Sequence, residues 1–172
     1  MERLTPEARE ALDAARRVAA RLENTEVDGE HLLLALVEEP GRSGARLVAE
    51  LGADPDPLRV QLEEELALRP RVPGADAEPD ERLFTTRLRR LVAAAGREAD
   101  ELGDDLVDEE HLLAALIGED GRTPGGLRLA EHGVTRDAFR AALGRRRNAG
   151  PDAADGSATT DAADRSATTD AW

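Results

Sequence analysis

The chain contains an internal duplication, and this feature restricts its fold more than any other. Residues 27–42 match residues 107–122 at eleven of sixteen positions, at a constant offset of 80. The match extends back to Thr5 and Thr85 and, after one inserted residue, forward to the end of each copy. A single copy of about 65 residues is marginal as an independent fold. The two copies are therefore predicted to pack into one unit about a pseudo-twofold axis.

Helical periodicity runs through both copies. Apolar residues recur at three- and four-residue spacing, as in Ala8, Ala11, Leu12 and Ala15, and no stretch alternates with period two over the length of a strand. The predicted helices cover residues 6–22, 28–38, 43–51 and 55–68 in the first copy, and 86–102, 108–118, 123–132 and 136–146 in the second. The predicted fold class is all-α, a tandem duplication of a four-helix repeat with about eight helices.

Capping residues support these helix limits. Thr5 precedes a proline and provides a hydroxyl N-cap for the first helix. Asp28 and Asp108 are predicted to cap the second helix of each copy. Gly52 and Gly133 follow apolar-periodic stretches, where a left-handed residue commonly ends a helix.

Changes in composition mark the boundaries along the chain. A segment rich in proline and charge separates the two copies, and a nine-residue repeat with almost nothing to bury follows the second. We therefore predict one double-repeat domain with an internal linker, followed by a disordered, acidic, low-complexity tail. The domain is residues 1–147, made of repeat one (1–68), the linker (69–81) and repeat two (82–147), and the tail is residues 148–172.

Charge and composition exclude several classes of function. The net charge is −14, from 23 basic residues, all of them arginine, against 37 acidic ones. Binding to nucleic acid or to an anionic membrane is therefore not expected. Cysteine is absent and only three aromatic residues occur, which excludes thiolate chemistry and disfavours aromatic ligand cages.

The sequence contains no catalytic motif. It lacks phosphate-binding loops, the helical zinc motif and the nucleophile elbow. We therefore predict that the chain is not an enzyme and takes no cofactor or metal. Its start has neither the basic nor the apolar region of a secretion signal, and its longest apolar run is too short to span a membrane. A cytoplasmic location is predicted.

Paired glutamates and histidines are the candidate functional residues. His31 and His111 directly precede the apolar run of each copy, where a buried or capping role suits both. A metal site that joins them to Glu30 and Glu110 is less favoured, because adjacent residues on a helix point about 100° apart. Both glutamates lie in a first helical turn, where the helix dipole stabilises an acid, and each could hold a guanidinium group in bidentate fashion.

These residues also carry a resemblance to a known family. Two Glu-His-Leu-Leu-x-Ala-Leu segments 80 residues apart, a Leu-Thr-x-x-Ala opening and a Leu-Gly-x-x-x-x-x-Leu close of the first copy resemble the N-terminal domain of the Clp family of AAA+ unfoldases. The second copy looks nearer to the ClpC branch than to the ClpB branch. The resemblance covers residues 1–146 and implies the all-α double-repeat fold of that domain.

The resemblance also implies a function. The family's domain is a recognition module that receives substrates and adaptor proteins for a Clp ATPase in protein quality control. In the ClpC branch the Glu of each Glu-His pair contacts phosphoarginine, which implies Glu30 and Glu110 here. Thr5 and Asp104 match residues associated with substrate handling in the ClpB branch, and Thr85 is included as the repeat partner of Thr5.

Two departures from the family pattern leave alternatives open. Asp108 and Glu109 add negative charge that would repel a phosphoryl group, so unmodified arginine-rich or basic segments are an alternative ligand. The chain continues into the acidic tail and not into nucleotide-binding domains, so we expect a stand-alone domain. The alternative function is that of an anionic helical chaperone-like or scaffold protein acting independently of Clp.

Overall fold

Eight α-helices and one pair of two-residue strands form the described part of the chain, which in this computed structural model comprises residues 3–73, 83–118 and 122–149. In chain order the elements are α1 (Pro6–Arg21), β1 (Glu26–Val27), α2 (Gly29–Glu38), α3 (Ser43–Glu50), α4 (Pro55–Ala67), β2 (Leu83–Phe84), α5 (Thr86–Leu102), α6 (Glu109–Gly118), α7 (Pro124–Glu131) and α8 (Arg136–Ala149). The all-α prediction is confirmed, and each repeat contains its four predicted helices.

The helix limits agree with the predicted ones to within one residue, except at the end of α8. That helix continues through Asn148 and Ala149, which were predicted to begin the tail. Arginine has a high helix propensity, and three consecutive arginines carry the helix past its predicted end. The rest of the predicted tail, 150–172, and most of the predicted linker, 74–81, lie outside the described residues.

The predicted caps are present. Thr5 Oγ1 accepts a hydrogen bond from the backbone N–H of Ala8 at 3.1 Å, and Asp28 accepts one from the N–H of the next residue at 2.8 Å. Gly52 and Gly133 have φ angles of 88° and 81°, a region that glycine enters without steric cost. Local capping chemistry therefore sets where these helices begin and end.

The duplicated motif forms the centre of the molecule. Nine of the ten residues of α2 are buried, and so are eight of the ten residues of α6. Both helices are apolar on nearly all sides, and a helix of that kind must be covered all round by other elements. α1 packs against α2, α5 packs against α6, and α2 contacts α6 between the repeats.

Each repeat exchanges its leading segment with the other repeat. β1 pairs in parallel with β2, with Val27 opposite Phe84. Leu4 forms a parallel bridge with Val107. Leu4 corresponds to Phe84, and Val27 corresponds to Val107, at the offset of 80 residues between the repeats. These two pairings interchange under the pseudo-twofold axis, which confirms the predicted symmetry.

A buried ion pair joins α3 of repeat one to α6 of repeat two. The Glu109 carboxylate accepts hydrogen bonds from Arg42 Nη1 at 2.9 Å and from the backbone N–H of Gly44 at 3.1 Å. Burial raises the pKa of the Glu109 carboxyl above its ordinary value, against the opposing effect of Arg42. This contact places α3 beside the N-terminus of α6.

Within the described residues, no helix combines the length and apolar character needed to cross a bilayer.

Candidate functional site

Three of the five predicted site residues lie in one cleft. Thr5, Asp104 and Glu110 line a cleft of about 920 Å³ between α3 of repeat one and the helices α6 and α8 of repeat two. We call it the repeat-two cleft. The other two predicted residues, Glu30 and Thr85, lie at the equivalent place in repeat one. The duplication therefore produces two candidate sites, which differ in access.

The cap of α6 fixes the floor of the repeat-two cleft. Thr5 Oγ1 donates a hydrogen bond to Asp108 Oδ1 at 2.9 Å. Asp108 Oδ1 also accepts from the backbone N–H of Glu109 at 2.8 Å, and the N–H of Asp108 donates to His111 Nδ1 at 2.8 Å. One hydroxyl group thus connects the start of α1 to the start of α6, across the two repeats.

The His111 ring orients Asp104. Because Nδ1 accepts the backbone hydrogen bond, the proton of the neutral ring is on Nε2. Nε2 donates that proton to Asp104 Oδ2 at 2.7 Å. Asp104 is held in this way beside Glu110, and both carboxylates are partly exposed to the cleft.

Arg147 occupies the acidic side of the repeat-two cleft. From the last turns of α8, its guanidinium group donates hydrogen bonds to both oxygens of Asp104 at 3.1 and 2.5 Å, and to Glu110 Oε1 at 2.9 Å. The hydrogen bond from Arg147 holds the pKa of the Asp104 carboxyl below its ordinary value. The cleft therefore has the geometry by which carboxylates recognise a planar guanidinium fork.

The opposite wall of the cleft carries positive charge. Ser43 and Arg46 reach it from the beginning of α3. Arg146 Nε lies 3.1 Å from Glu50 Oε2 and spans the cleft from α8 to α3. Arg46 is exposed and has no ion pair with any of the residues that the structure describes. Because Glu50 balances Arg146, the net positive charge of this basic wall comes from Arg46. The acidic wall, with Asp104 and Glu110, lines the same cleft.

The same cap recurs in repeat one with one changed partner. Thr85 Oγ1 donates to Asp28 Oδ1 at 2.9 Å, and the N–H of Asp28 donates to His31 Nδ1 at 2.9 Å. His31 Nε2 then meets the amide oxygen of Asn24 at 2.9 Å, where repeat two has the carboxylate of Asp104. The capping role predicted for the histidines is confirmed. Repeat one has one acidic group fewer around its ring.

Glu30 is enclosed, whereas Glu110 faces its cleft. The Glu30 side chain is 3% exposed and the Glu110 side chain 24%. Arg69 Nη2 lies 3.0 Å from Glu30 Oε2, and Arg87 Nη1 lies 4.0 Å from Oε1. Neither contact is a hydrogen bond, and both carboxylate oxygens lack a hydrogen-bond partner within the described ranges. Both arginines also approach Asp28 to 3.5 Å.

We call these four residues, Asp28, Glu30, Arg69 and Arg87, the repeat-one cluster. The two carboxylates and the two guanidinium groups give this cluster a net charge of zero. The pairing supplies the countercharge that a buried carboxylate needs. In the repeat-one cluster the two carboxylates are therefore buried beneath two partly exposed arginines, whereas the carboxylates of the repeat-two cleft are themselves partly exposed.

Asp104, Glu110 and His111 are the described residues whose ligand atoms could meet at one metal ion, since those atoms lie within 4.8 Å of one another. Arg147 already bonds both carboxylates, and His111 Nε2 donates to Asp104. We therefore assign this group to guanidinium binding. Glu30 and His31 are not part of this group of described residues, since Glu30 belongs to the repeat-one cluster.

Sequence reasoning missed the arginines of both sites. Arg147 lies in a run of arginines at the end of a helix, where basic residues are common because they interact favourably with the helix dipole. Arg46 comes from the other repeat, so no local spacing connects it with Glu110. One sequence signal could have pointed to these arginines. The fourth helix of each repeat ends near an arginine, Arg69 in repeat one and Arg147 in repeat two.

An apolar groove lies beside the repeat-two cleft. It has a volume of about 570 Å³ and combines small and aliphatic side chains with two arginines. Its lining residues are Arg3, Leu4, Arg89, Val92, Ala93, Gly96 and Val107. Leu4 lines the groove and Thr5 lines the cleft, so the two surfaces lie on either side of one chain segment.

Comparison with known proteins places this fold in a family. The sequence profile described as "Clp repeat (R) N-terminal domain" matches residues 3–132. The chain belongs to the Clp repeat N-terminal domain family. The matched span contains all five predicted site residues of this Clp N-domain. α8, which carries Arg147, lies beyond it.

Curated relatives of the Clp N-domain are much longer chaperones. It is 34% identical over 121 residues to chaperone protein ClpB of Bacillus cereus, and 33% identical over 135 residues to ClpB of Nitratidesulfovibrio vulgaris. The alignments cover 70% and 78% of this chain but 14% and 16% of those proteins. This chain therefore spans a small part of the length of these relatives.

Solved structures share the fold at low sequence identity. The N-terminal domain of ClpD from Arabidopsis thaliana is 22% identical with a TM-score of 0.64, over 85% of this chain and 96% of that one. The Hsp104 N-terminal domain from Candida albicans is 18% identical with a TM-score of 0.69, over 85% and 92%. The ClpV N-domain from Vibrio cholerae is 19% identical with a TM-score of 0.68, over 83% and 84%. The all-α double-repeat fold is that of Clp N-domains.

Proposed function

We propose that this Clp N-domain is a recognition module that captures arginine-bearing segments of substrate or adaptor proteins for a Clp ATPase. The observation that supports this most directly is the guanidinium group of Arg147, held between Asp104 and Glu110. An arginine side chain of another protein would find the same carboxylates at the same distances. The domain binds in this role and performs no catalytic step.

The residue types favour arginine over lysine as the group that is captured. Two neighbouring carboxylates match the planar, multiply donating guanidinium fork, whereas an ammonium group is a compact point charge. The net charge of −14 also draws basic segments towards the protein over a distance of about a Debye length. The overall charge then attracts basic segments, and the geometry of the cleft selects arginine among their side chains.

The charge of the cleft favours unmodified arginine over phosphoarginine. Arg46 and Ser43 on the basic wall would receive a phosphoryl group. The acidic residues of the cleft nevertheless outnumber its arginines, five to three, and Asp108 and Asp105 are among them. Like charges repel a phosphoryl group at such distances. We propose the unmodified side chain as the principal ligand.

The family and its relatives support a role within the Clp system. The curated relatives are ClpB chaperones in which the matched region is a small part of the chain. We propose that the domain delivers or withholds clients of a Clp ATPase and so modulates protein quality control in the cytoplasm.

The test is a calorimetric titration of the full chain with a short peptide that has one central arginine. The same peptide with citrulline, which keeps the shape and loses the charge, is the matched control. We expect saturable binding of the arginine peptide alone, and its loss in a Glu30→Gln, Glu110→Gln double variant that keeps its circular dichroism spectrum. A double variant that binds as tightly as the wild type would contradict the proposed function.

The apolar groove favours a second candidate function. An anionic helical chaperone acting independently of a Clp ATPase would hold unfolded segments in that groove. An apolar peptide without arginine distinguishes the two functions. Its binding would persist at high salt, because screening weakens charge contacts far more than apolar ones. It would also be unaffected by the double variant.

A further inference from the structure

The two halves of the duplication are not equivalent as binding sites. We infer that the repeat-two cleft alone accepts an arginine side chain, and that Arg147 is its resident guanidinium group, which the ligand replaces. This assignment rests on the proposed function and specifies the site and the mode of capture. It gives one binding site per chain where the doubled motif suggests two.

The repeat-one cluster is closed to a ligand. The side chains of Glu30 and Asp28 are 3% and 4% exposed. Arg69 and Arg87 each approach both carboxylates, within 3.0 to 4.0 Å. An incoming arginine would have to displace two guanidinium groups to reach carboxylates that have almost no surface. If both arginines stayed in place, the charge of the ligand would be in excess, because two carboxylates and two guanidinium groups already balance.

The repeat-two cleft differs on each of these points. The side chains of Asp104 and Glu110 are 28% and 24% exposed. Arg147 faces these two carboxylates alone, and Asp108 lies on the same side of the cleft. The acidic wall therefore keeps negative charge after Arg147 is bound. A cationic ligand is attracted there, and the cleft has the room to admit it.

Arg147 is held in a way that permits exchange. Its side chain is 37% exposed, which is similar to Arg69 and Arg87 of the repeat-one cluster, but its carboxylate partners are themselves about one quarter exposed. It also lies two residues before the end of α8. Partly exposed ion pairs contribute little net free energy, because water competes for both charges. A released Arg147 would return to solvent without leaving a buried charge unpaired. Exchange of the Arg147 guanidinium group for that of the ligand therefore costs little free energy. The other contacts that the ligand makes with the cleft then decide its affinity.

One sequence difference between the repeats contributes to the asymmetry. The partner of the histidine Nε2 atom is the amide of Asn24 in repeat one and the carboxylate of Asp104 in repeat two. The Asp104 carboxylate accepts the bidentate hydrogen bonds of Arg147. The Asn24 amide has one oxygen and bears no charge, so it offers no equivalent to a guanidinium group.

The experiment compares single variants of the full chain by titration with the one-arginine peptide. We expect a stoichiometry of one for the wild type. Arg147→Gln should lower the Kd by about two- to fivefold, because the ligand no longer competes with a partly exposed ion pair. Arg145→Gln is the matched control, since it removes the same charge from an exposed neighbour on the same helix. Glu110→Gln should raise the Kd, and Glu30→Gln should leave the Kd unchanged.

Three results would overturn the single-site assignment while leaving the proposed function in place. They are a stoichiometry of two equal sites, an Arg147→Gln variant that binds no tighter than Arg145→Gln, and loss of binding in Glu30→Gln but not in Glu110→Gln. If Glu30→Gln does not fold, the stoichiometry and the two arginine variants still decide. If neither the wild type nor Arg147→Gln binds the arginine peptide, the assignment and the proposed function both fail.

Discussion

At the scale of single residues, similar arginine–carboxylate pairs have different energetic roles in the two repeats. Arg69 neutralises carboxylates that water does not reach, at Glu30 and Asp28. Arg147 pairs with carboxylates that are about one quarter exposed. A buried charge that loses its partner stays uncompensated, whereas an exposed one is rehydrated. The first arginine therefore serves the stability of the fold and the second serves the cleft.

This contrast predicts unequal losses of stability for the same substitution. Arg69→Gln should lower the free energy of unfolding by about 1 to 3 kcal/mol, because it leaves buried carboxylate charge with Arg87 alone. Arg147→Gln should lower it by less than about 1 kcal/mol. Urea unfolding followed by circular dichroism measures both variants. A larger loss for Arg147→Gln than for Arg69→Gln would mean that water reaches the Glu30 carboxylate in the folded chain.

Asp104 predicts a specific dependence of stability on pH. Its pKa in the folded chain lies below the ordinary value of 3.8, so the unfolded chain binds the proton more tightly. The stabilisation is complete above the ordinary pKa and is lost as the pH falls through the lower, folded value. The difference in unfolding free energy between the wild type and Asp104→Asn should therefore be present at about pH 6 and shrink below about pH 3.8.

Urea titrations of both proteins at about pH 6 and about pH 2.5 measure this difference. Asp105→Asn, at an exposed neighbouring position, controls for the loss of one negative charge. A difference that keeps its size at the lower pH would mean that the Asp104 carboxylate is not stabilised by Arg147.

At the scale of elements, the position of α3 depends on one glycine. A Cβ atom at Gly44 would lie 2.9 Å from the backbone oxygen of Leu36 and 3.0 Å from its Cβ atom. Both contacts are with α2, and a backbone atom cannot turn aside as a side chain can. The absence of a side chain at Gly44 therefore lets α3 lie against α2 and present Arg46 to the repeat-two cleft.

Gly44→Ala should destabilise the fold by about 1 to 3 kcal/mol, because α3 must move away from α2 to admit the methyl group. Gly96→Ala is the matched control, since it lies within α5 with nothing inside 4 Å of its added Cβ atom. That change should be neutral or should stabilise by up to about 1 kcal/mol. Thermal unfolding of the two variants gives the comparison. Equal melting temperatures would mean that α2 and α3 accommodate the methyl group without cost.

The sequence predicted the elements well where their determinants are local. The cap formed by Thr5 and the left-handed glycines Gly52 and Gly133 act within a few residues, and their patterns were readable. The second hydrogen bond of Thr5, to Asp108, joins residues 103 positions apart. No local pattern contains such a bond, nor the pairing of Leu4 with Val107. Strands of two residues are likewise too short to show an alternation of period two.

At the scale of the whole molecule, neither repeat contains all of its own packing partners. Thr5 of repeat one completes the cap of Asp108, and Thr85 of repeat two completes the cap of Asp28. α2 and α6 cover one another between the repeats. The two halves should therefore fold and unfold together.

The isolated polypeptide 1–73 tests this interdependence. A chain of that size buries too little surface to be comfortably stable, and here it also loses the partners that repeat two provides. We expect its far-ultraviolet circular dichroism to lose most of the helical signal of the full chain. A fragment that stays monomeric, helical and cooperatively folded would show that the contacts between repeats are dispensable.

The candidate site was only half accessible to sequence reasoning. The doubled motif singled out Glu30 and Glu110 because they are equivalent in sequence. Their difference in exposure arises in part from Arg69 and Arg87, which reach Glu30 from the start of the linker and from repeat two. Burial of that kind is a property of the assembled fold and has no signature in the spacing of residues. That Glu30 and Glu110 bind a ligand stays a prediction until the titrations are made.

The reciprocal pairing of Leu4 with Val107 and of Phe84 with Val27 has the form of an isologous dimer whose subunits share one chain. In a dimer of identical subunits, Asn24 and Asp104 would have to be the same residue, and both sites would be open or both closed. Fusion removes that constraint and makes the association independent of protein concentration. Repeat one can then bury its carboxylates and stabilise the fold, while repeat two keeps its cleft open to solvent.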